Sequence, residues 1–246
     1  MRTFFLFETE LEENSGFALF GLCHLLWLFF LAGFTWWLLK QYQKKRIDSQ
    51  RKLNRIIGTS LPVMQICRDM ILGITGYYNI GFLPLHLCNM ALIIACLYAW
   101  TENKFWGNIY VLLCLPGAAG ALLFPDWRMY PFFNYMHIYD FISHGLTVAF
   151  GICLLVTGKV EPKWKDFWMP LVFGLIGFIC LPVVNQKLET NFWFLTIPTK
   201  NSPLEMIFNL TGEIWYRIGY FLFVLLIVVV WQMIICIGQR KRKEVR

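Results

Sequence analysis

The stretch that decides the fold is IWYRIGYFLFVLLIVVVWQMIICI, residues 214–237, in which Arg217 is the one charged side chain. About 20 mostly apolar residues are what an α-helix needs to cross the hydrocarbon core of a bilayer. An unpaired backbone cannot cross lipid, and the long apolar block does not resemble the short alternating strands of a membrane barrel. The stretch therefore predicts a membrane-spanning helix.

The rest of the chain repeats this pattern, since 58% of its 246 residues are apolar and only 15% are charged. Soluble domains have roughly 25% charged residues. Seven segments reach or approach the spanning length, although the second is interrupted by Gln65, Arg68 and Asp69. The segments are Phe17–Leu39, Ile56–Tyr77, Phe82–Trp100, Trp106–Phe124, Phe132–Thr157, Phe167–Val184 and Ile214–Ile237. We therefore predict an all-α polytopic bundle of about seven spans, forming a single integral membrane domain over residues 1–246.

The basic residues are distributed unevenly between the connections that join these segments. One alternate set of connections holds sixteen of them, namely Lys40, Lys44, Lys45, Arg46, Arg51, Lys52, Arg55, Lys104, Lys159, Lys163, Lys165, Arg240, Lys241, Arg242, Lys243 and Arg246. The other set holds only Arg2, Arg128, Lys187 and Lys200. Because cytoplasmic loops carry the excess of Lys and Arg, we predict an external N-terminus and a cytoplasmic C-terminus. Basic clusters beside spans indicate anionic lipid headgroups as partners, and they argue against nucleic-acid binding.

The unusual polar residues of the spans fall in the outer halves of the predicted helices. They are His24, Arg68, Asp69, His86, Cys88, Asn89, His137, Asp140, His144, Glu213 and Arg217. Charged side chains within spans are costly and usually face the bundle interior or a wet cavity. We expect this set to line one cavity that opens to the outer leaflet. The simpler alternative is a network of structural ion pairs.

Two charged pairs in this set carry specific expectations. Arg68 and Asp69 are adjacent, so they are expected not to face each other, and Asp140 or Glu213 is the expected partner of Arg68. Glu213 and Arg217 are four residues apart and can pair on their own helix.

Two reactive side chains open the third span. On a regular helix His86 and Cys88 point about 200° apart, so they are not expected to share one pocket, whereas His86 shares its face with Asn89. A lone cysteine in an apolar span is most often a small hydrophobic residue. Cys88, however, follows the predicted helix start by about one turn, where the helix dipole favours a thiolate. Cys88 is therefore a candidate nucleophile.

Three polar side chains of the fifth span, His137, Asp140 and His144, share one helix face because they lie at positions i, i+3 and i+7. His144 has Ser143 beside it and Asp140 one turn earlier, which favours acid–base chemistry. A zinc site could combine His137 and His144 with His86, but no compact motif such as HExxH is present. We predict no cofactor, with the histidine-bound metal as the alternative.

Several motifs resemble those of a known family. They are Phe20-Gly21 followed by His24, the segment LPLHLCN at 83–89, LLFPD at 122–126, FISHG at 141–145 and a segment centred on Asn191. Together they resemble the YwaF-like family of bacterial multi-pass membrane proteins over nearly the whole chain. This resemblance implies a bacterial plasma membrane. Eukaryotic relatives resemble lipid acyltransferases, with distant kin that hydrolyse fatty-acid esters through a Cys or Thr nucleophile and a His. By resemblance, Cys88 and His144 are the catalytic candidates. We expect Asp140 or Ser143 to orient His144, and His86 and Asn89 to polarise the carbonyl oxygen of an ester.

The leading hypothesis is therefore a membrane-embedded lipid acyltransferase or lipid ester hydrolase. The connection Asn185–Asn209 is the longest outer loop, and its aromatic stretch 192–194 is a candidate lid. A transporter or ligand-binding protein that uses the same cavity is the first alternative. It ranks second because no charge lies in the cytoplasmic halves of the spans to form a polar path. An accessory subunit of a membrane complex is the further alternative.

Overall fold

Seven long helices make up the structure, a computed structural model that describes residues 4–12 and 14–244. They are α1 (Leu22–Gln43), α2 (Ile47–Thr75), α3 (Leu87–Thr101), α4 (Lys104–Leu123), α5 (Tyr135–Val156), α6 (Trp168–Leu188) and α7 (Pro203–Glu244). Short 3₁₀ turns lie at Glu8–Glu10, Ile80–Phe82, Trp164–Asp166 and Phe192–Phe194. The described residues contain no strand, which confirms the all-α prediction. Arg2 and Arg246, which entered the charge count, lie outside the described residues.

Each predicted segment overlaps one helix, but only part of the set has the character of a membrane span. Within the described ranges, α1, α4, α5, α6 and α7 are long and apolar enough to cross a membrane, and α3 is apolar but shorter at 15 residues. Helix α2 is 29 residues long and fails on composition, because Arg68 and Asp69 interrupt it. The structure thus supports five to six spanning helices, and the predicted count of seven is not confirmed.

The helix bounds differ most from the predicted ones around α2 and α3. Helix α2 begins at Ile47 and not at Ile56, so much of the basic first connection is helical. It ends at Gly76, whose φ of 80° is the left-handed conformation that glycine adopts most easily. Helix α3 begins at Leu87, five residues after the predicted start.

Helix α4 contains one wide turn. Residues Tyr110–Cys114 form a π-helix between two α-helical parts, and Pro116 is the second residue after it. Proline has no backbone N–H and clashes with the carbonyl four residues earlier, which for Pro116 is that of Leu112. The wide turn accommodates this clash without breaking the helix.

The two ends of the bundle differ in chemistry. At one end, the mouth end, the segments 4–21, 124–134 and 189–202 meet, and Arg128 donates to the carbonyl of Lys200 at 2.9 Å. At the opposite end, the basic end, the ion pairs Arg51–Glu102 and Lys104–Asp166 join the connections, each at 2.7 Å. The largest buried apolar cluster fills the basic-end half of the bundle, where α3, α4 and α5 pack together. This packing leaves the mouth-end half free for a cavity.

Candidate functional site

A cavity of about 840 Å³ opens at the mouth end and reaches deep into the bundle. Helices α3, α4, α5 and α7 form its walls, together with the connection before α7. This volume lies at the upper end of the range of roughly 300–1,000 Å³ that ligand pockets usually have. The cavity is therefore large enough for a lipid-sized ligand.

One face of α5 runs the length of the cavity. Met136, Asp140, His144, Val148 and Ile152 all line it, and they lie four residues apart. Side chains at this spacing stack along one face of a helix. Below Met136 at the mouth, Asp140 and His144 are polar, and Val148 and Ile152, nearer the basic end, are apolar. The deeper part of the cavity thus suits the tail of a lipid and the part at Asp140 and His144 suits its polar head.

The His144 ring is held in one orientation. Its Nδ1 lies 2.7 Å from the backbone oxygen of Asp140, so Nδ1–H donates to that carbonyl. The ring also stacks on Trp127, with 4.8 Å between the ring centroids. This geometry leaves Nε2 as an acceptor, the form that a general base needs. The expectation that Asp140 or Ser143 orients His144 thus needs correction, since the Asp140 backbone does so and its carboxylate does not.

His86 and Cys88 both line the cavity, which contradicts the expectation from helical faces. That expectation assumed a regular helix through both residues. His86 is instead the N-cap of α3, with the extended values φ −65° and ψ 145°, and the helix begins one residue later. The extended backbone turns the two side chains to the same side. His86 lies between Phe192 and Phe194, at centroid distances of 5.2 and 5.3 Å.

Cys88 occupies the first turn of α3. Its thiol donates to Asn89 Oδ1 at 3.8 Å. The first N–H groups of a helix lack partners within the helix, so they can serve an anion or a developing negative charge. Among the described residues no hydrogen bond joins Cys88 to His144. The two side chains face one cavity from different helices.

Arg68 pairs with its neighbour in the chain, contrary to expectation. Its Nε and Nη2 donate to the same Asp69 oxygen at 2.9 and 2.6 Å. The long arginine side chain folds back along the helix, which a comparison of helical faces does not allow for. The guanidinium also lies 5.2 Å from the ring centroids of both Phe82 and Tyr139. Arg68 lines the cavity, as does Asp140, whose carboxylate has no hydrogen bond or ion pair to any described residue.

The other two histidines do not line the cavity. His24 is fully buried, accepts from the backbone N–H of Phe20 at 3.0 Å and lies 2.7 Å from the carbonyl of Leu122. His137 accepts from Trp27 Nε1 at 2.8 Å and lies 3.1 Å from the carbonyl of Tyr130. Both ring nitrogens of each are therefore occupied. The prediction that all four histidines line one cavity is wrong, and these two pin helices and loops together.

Glu213 and Arg217 also lie away from the cavity. Both are exposed, and the structure does not pair them. Helix α7 breaks at Gly212, whose φ of 71° and ψ of 172° are not helical. Regular helix resumes at Glu213, and the side chains of Glu213 and Arg217 lie on its exposed surface. Asp69 likewise does not line the cavity, although it holds Arg68, which does.

The predicted lid covers part of the cavity mouth. Asn191, Trp193 and Phe194 line the cavity. Trp193 and Phe194 have positive φ values of 59° and 54°, which bulky residues seldom adopt. Hydrogen bonds hold this conformation, because Trp193 Nε1 donates to the Leu85 carbonyl at 2.9 Å and Tyr216 donates to the Phe194 carbonyl at 2.8 Å.

The sequence reasoning missed a second cover, the N-terminal strap of residues 4–12. Its carbonyls of Phe4 and Leu6 accept from the backbone of Tyr135 and the side chain of Asn134, at 2.8 and 2.9 Å. Phe7 and Glu8 of the strap line the cavity, as do Asp126 and Trp127 from the loop after α4. The apolar run of residues 4–7 before the glutamates, outside any predicted span, was the signal that could have indicated a docked segment.

Docking of the strap is expected to weaken as the pH rises. Partial burial raises the pKa of Glu8, and the nearby Asp126 raises it further. Because its pKa is raised in the docked state, the protonated Glu8 carboxyl stabilises docking. This contribution to the free energy of docking is complete below pH 4.5, the ordinary pKa, and is lost as the pH rises to the raised pKa. Amide hydrogen exchange of residues 4–12, normalised to intrinsic rates, should therefore speed up over this range. Glu8→Gln should remove the dependence, and an unchanged dependence in that variant would contradict the assignment.

No group of three or more His, Cys, Asp or Glu side chains in the described part of the chain could hold a metal ion. The three histidines of the metal alternative lie in different surroundings, since His137 is engaged with Trp27 while His86 and His144 face the cavity. The structure does not bring that ligand set together.

Comparison with known proteins gives one match. No curated protein and no solved structure matches the chain. Residues 17–235 match the TMEM164 family, and this range includes every helix that walls the cavity. The match does not confirm the YwaF-like resemblance. Because the matched range covers most of the chain, the protein belongs to the TMEM164 family of multi-pass membrane proteins.

Proposed function

We propose that this protein is a membrane-embedded enzyme that transfers or hydrolyses the acyl group of a lipid ester. The observation that carries the proposal is the content of one cavity. A thiol in the first turn of a helix and a histidine with a free Nε2 face its polar half, and the other half is apolar. A nucleophile, a base and a place for an acyl chain are what ester chemistry on a lipid requires.

The reaction begins with an ester bound between Cys88 and His144. His144 Nε2 takes the thiol proton, and the sulfur attacks the ester carbonyl carbon to form a tetrahedral intermediate. The first backbone N–H groups of α3, together with Asn89 and His86, stabilise the negative charge on the former carbonyl oxygen. The carbon–oxygen ester bond then breaks, and His144 returns the proton to the departing alkoxide.

The acyl group remains on Cys88 as a thioester. A hydroxyl group of a second lipid, or a water molecule, then gives its proton to His144 and attacks the thioester carbonyl. The carbon–sulfur bond breaks, and the sulfur recovers the proton. Transfer and hydrolysis thus differ only in the acceptor. The competing version has no thioester, because a water molecule activated by His144 attacks the ester directly.

A covalent trap tests the proposal. Purified protein in detergent is mixed with a phospholipid that carries isotopically labelled acyl chains, and peptides are analysed by mass spectrometry. We expect the label on the Cys88 peptide, its removal by neutral hydroxylamine, and its absence in the Cys88→Ser variant. Product formation without labelled Cys88, and unchanged in Cys88→Ser, would support the competing version. Bound but unaltered phospholipid in every sample would favour the transport or binding alternative.

We also propose that the mouth end faces outwards and the basic end lies in the cytoplasm of a cell membrane. The unequal distribution of Lys and Arg supports this orientation, and anionic lipid headgroups are the proposed partners of the basic end. The proposal depends on residues at the two opposite ends of the bundle, such as Arg128 and Lys200 at the mouth end and Arg51 at the basic end.

The orientation predicts where reagents reach the protein in intact cells. Lys187 and Lys200 are exposed at the mouth end, so a membrane-impermeant amine reagent should label both. Lys52 is exposed at the basic end and should be labelled only after the cells are opened. The opposite result at all three lysines would invert the orientation and place the active site on the cytoplasmic side.

A further inference from the structure

The apolar half of the cavity has a definite floor. Along α5 the lining residues end at Ile152, and along α7 they end at Trp231. The next residues on these faces, Val156 and Ile235, do not line the cavity, and Ile235 is buried in the main core. The distance along α5 from His144 to Ile152 is about 12 Å, and that along α7 from Tyr220 to Trp231 is about 17 Å. A leaflet's hydrocarbon is about 15 Å thick, half of a typical bilayer core, so the apolar half is about as deep as one leaflet.

The wide turn of α4 fixes the floor in place. The N–H of Leu115 pairs with the carbonyl of Tyr110, five residues earlier, and so leaves the carbonyl of Val111 without its ordinary α-helical partner. The residue five positions after Val111 is Pro116, which has no N–H. Trp231 Nε1 donates to this free carbonyl at 2.9 Å. The hydrogen bond holds the indole of α7 against α4 and prevents it from swinging out of the cavity.

We propose that Trp231, pinned to the Val111 carbonyl and lining the deep end of the cavity with Ile152, limits the length of acyl chain that this cavity accepts. The inference rests on the proposed function for the nature of the occupant, an acyl chain whose ester lies at Cys88 and His144. An acyl chain that ends at the floor buries every methylene, and each methylene strengthens binding by roughly fourfold. A longer chain must bend or leave its terminal methylenes outside the cavity. The affinity is therefore highest at one chain length.

The test measures binding and not turnover. Saturated fatty acids from lauric to stearic acid displace a fluorescent fatty acid from the purified full-length protein, and the displacement constant is plotted against chain length. We expect the wild type to show a maximum. Trp231→Ala should move the maximum to longer chains, and Ile152→Trp should move it to shorter ones. Trp231→Phe keeps most of the ring volume but loses the hydrogen bond, so it should broaden the maximum without moving it as far.

Trp36→Ala is the matched control, because Trp36 is an exposed tryptophan of α1 that does not line the cavity. The control should keep the wild-type profile. An unchanged maximum in both Trp231→Ala and Ile152→Trp, with displacement still measurable, would overturn the proposal. If Trp231→Ala does not fold, Ile152→Trp alone decides. Because fatty acids contain no ester, a shifted maximum together with neither labelled Cys88 nor any acyl product from phospholipid would reject the enzyme proposal and leave this one standing.

Discussion

Replacing Cys88 by serine is expected to lower acyl release from a phospholipid by at least about a thousandfold. Serine keeps nearly the same shape, but its hydroxyl is a much weaker nucleophile than a thiolate at neutral pH. The effect should appear in kcat, because the lipid still fills the cavity. Mass spectrometry of released and transferred acyl groups measures it under conditions in which each enzyme molecule would turn over many times.

Two other cysteines of the chain provide controls for this change. Cys96 lies on the same helix as Cys88 but does not line the cavity, so Cys96→Ser should leave the rate unchanged. Cys114 lines the cavity and is buried within the wide turn of α4, far along the chain from the helix start that serves Cys88. Activity that survived in Cys88→Ser and was lost in Cys114→Ser would move the nucleophile to Cys114.

Replacing His144 by glutamine is expected to lower kcat by about 10²–10⁴, the usual contribution of a positioned acid or base. Glutamine can still donate to the Asp140 carbonyl, so the local packing should be kept while the proton acceptor is lost. Binding of a fatty acid should change little. The rate in single-turnover experiments and the displacement constant separate these two effects. Full activity in this variant would remove the enzymatic assignment of the site.

His137→Gln is the matched control on the same helix. His137 has both ring nitrogens engaged, with Trp27 and with the Tyr130 carbonyl, so it has no free base. Its loss should lower stability, since an unpaired buried polar group costs about 1–3 kcal/mol. The two variants should therefore separate cleanly, with a lower thermal midpoint for His137→Gln and a lower rate for His144→Gln.

The four histidines illustrate what could and could not be predicted from the sequence. The spacing and depth of the polar residues predicted a cluster in one half of the bundle, and four of them, Arg68, His86, Asp140 and His144, line the cavity. Depth alone could not separate His137 from His144, because both lie on one face of α5. What separates them is the partner of each ring nitrogen, and those partners include backbone carbonyls and Trp27 on another helix. Such contacts carry no periodic signal in a sequence.

The errors at His86 and Arg68 have a different origin. Both expectations treated the residues as parts of uniform helices with side chains projecting straight out. The position of the helix start decided the first case, since α3 begins only at Leu87 and His86 keeps an extended backbone. Side-chain length decided the second, because an arginine can reach back to an adjacent aspartate. Predictions of the helix face on which a side chain lies therefore fail at helix ends and for long side chains.

Helix α2 has a consequence for how the chain is made. Its composition does not favour entry into lipid, and Arg68 and Asp69 each resist insertion at the translocon. It packs closely on α3, however, with Gly58 against Ala99, and the carbonyl of Ala95 lies 3.0 Å from the position of a Cβ at Gly58. We therefore expect the two helices to enter the bilayer as a hairpin, in which the apolar α3 carries its polar neighbour. A nascent chain that stops after Gly76 should leave α2 at the membrane surface, and a chain that continues through Thr101 should draw both helices in.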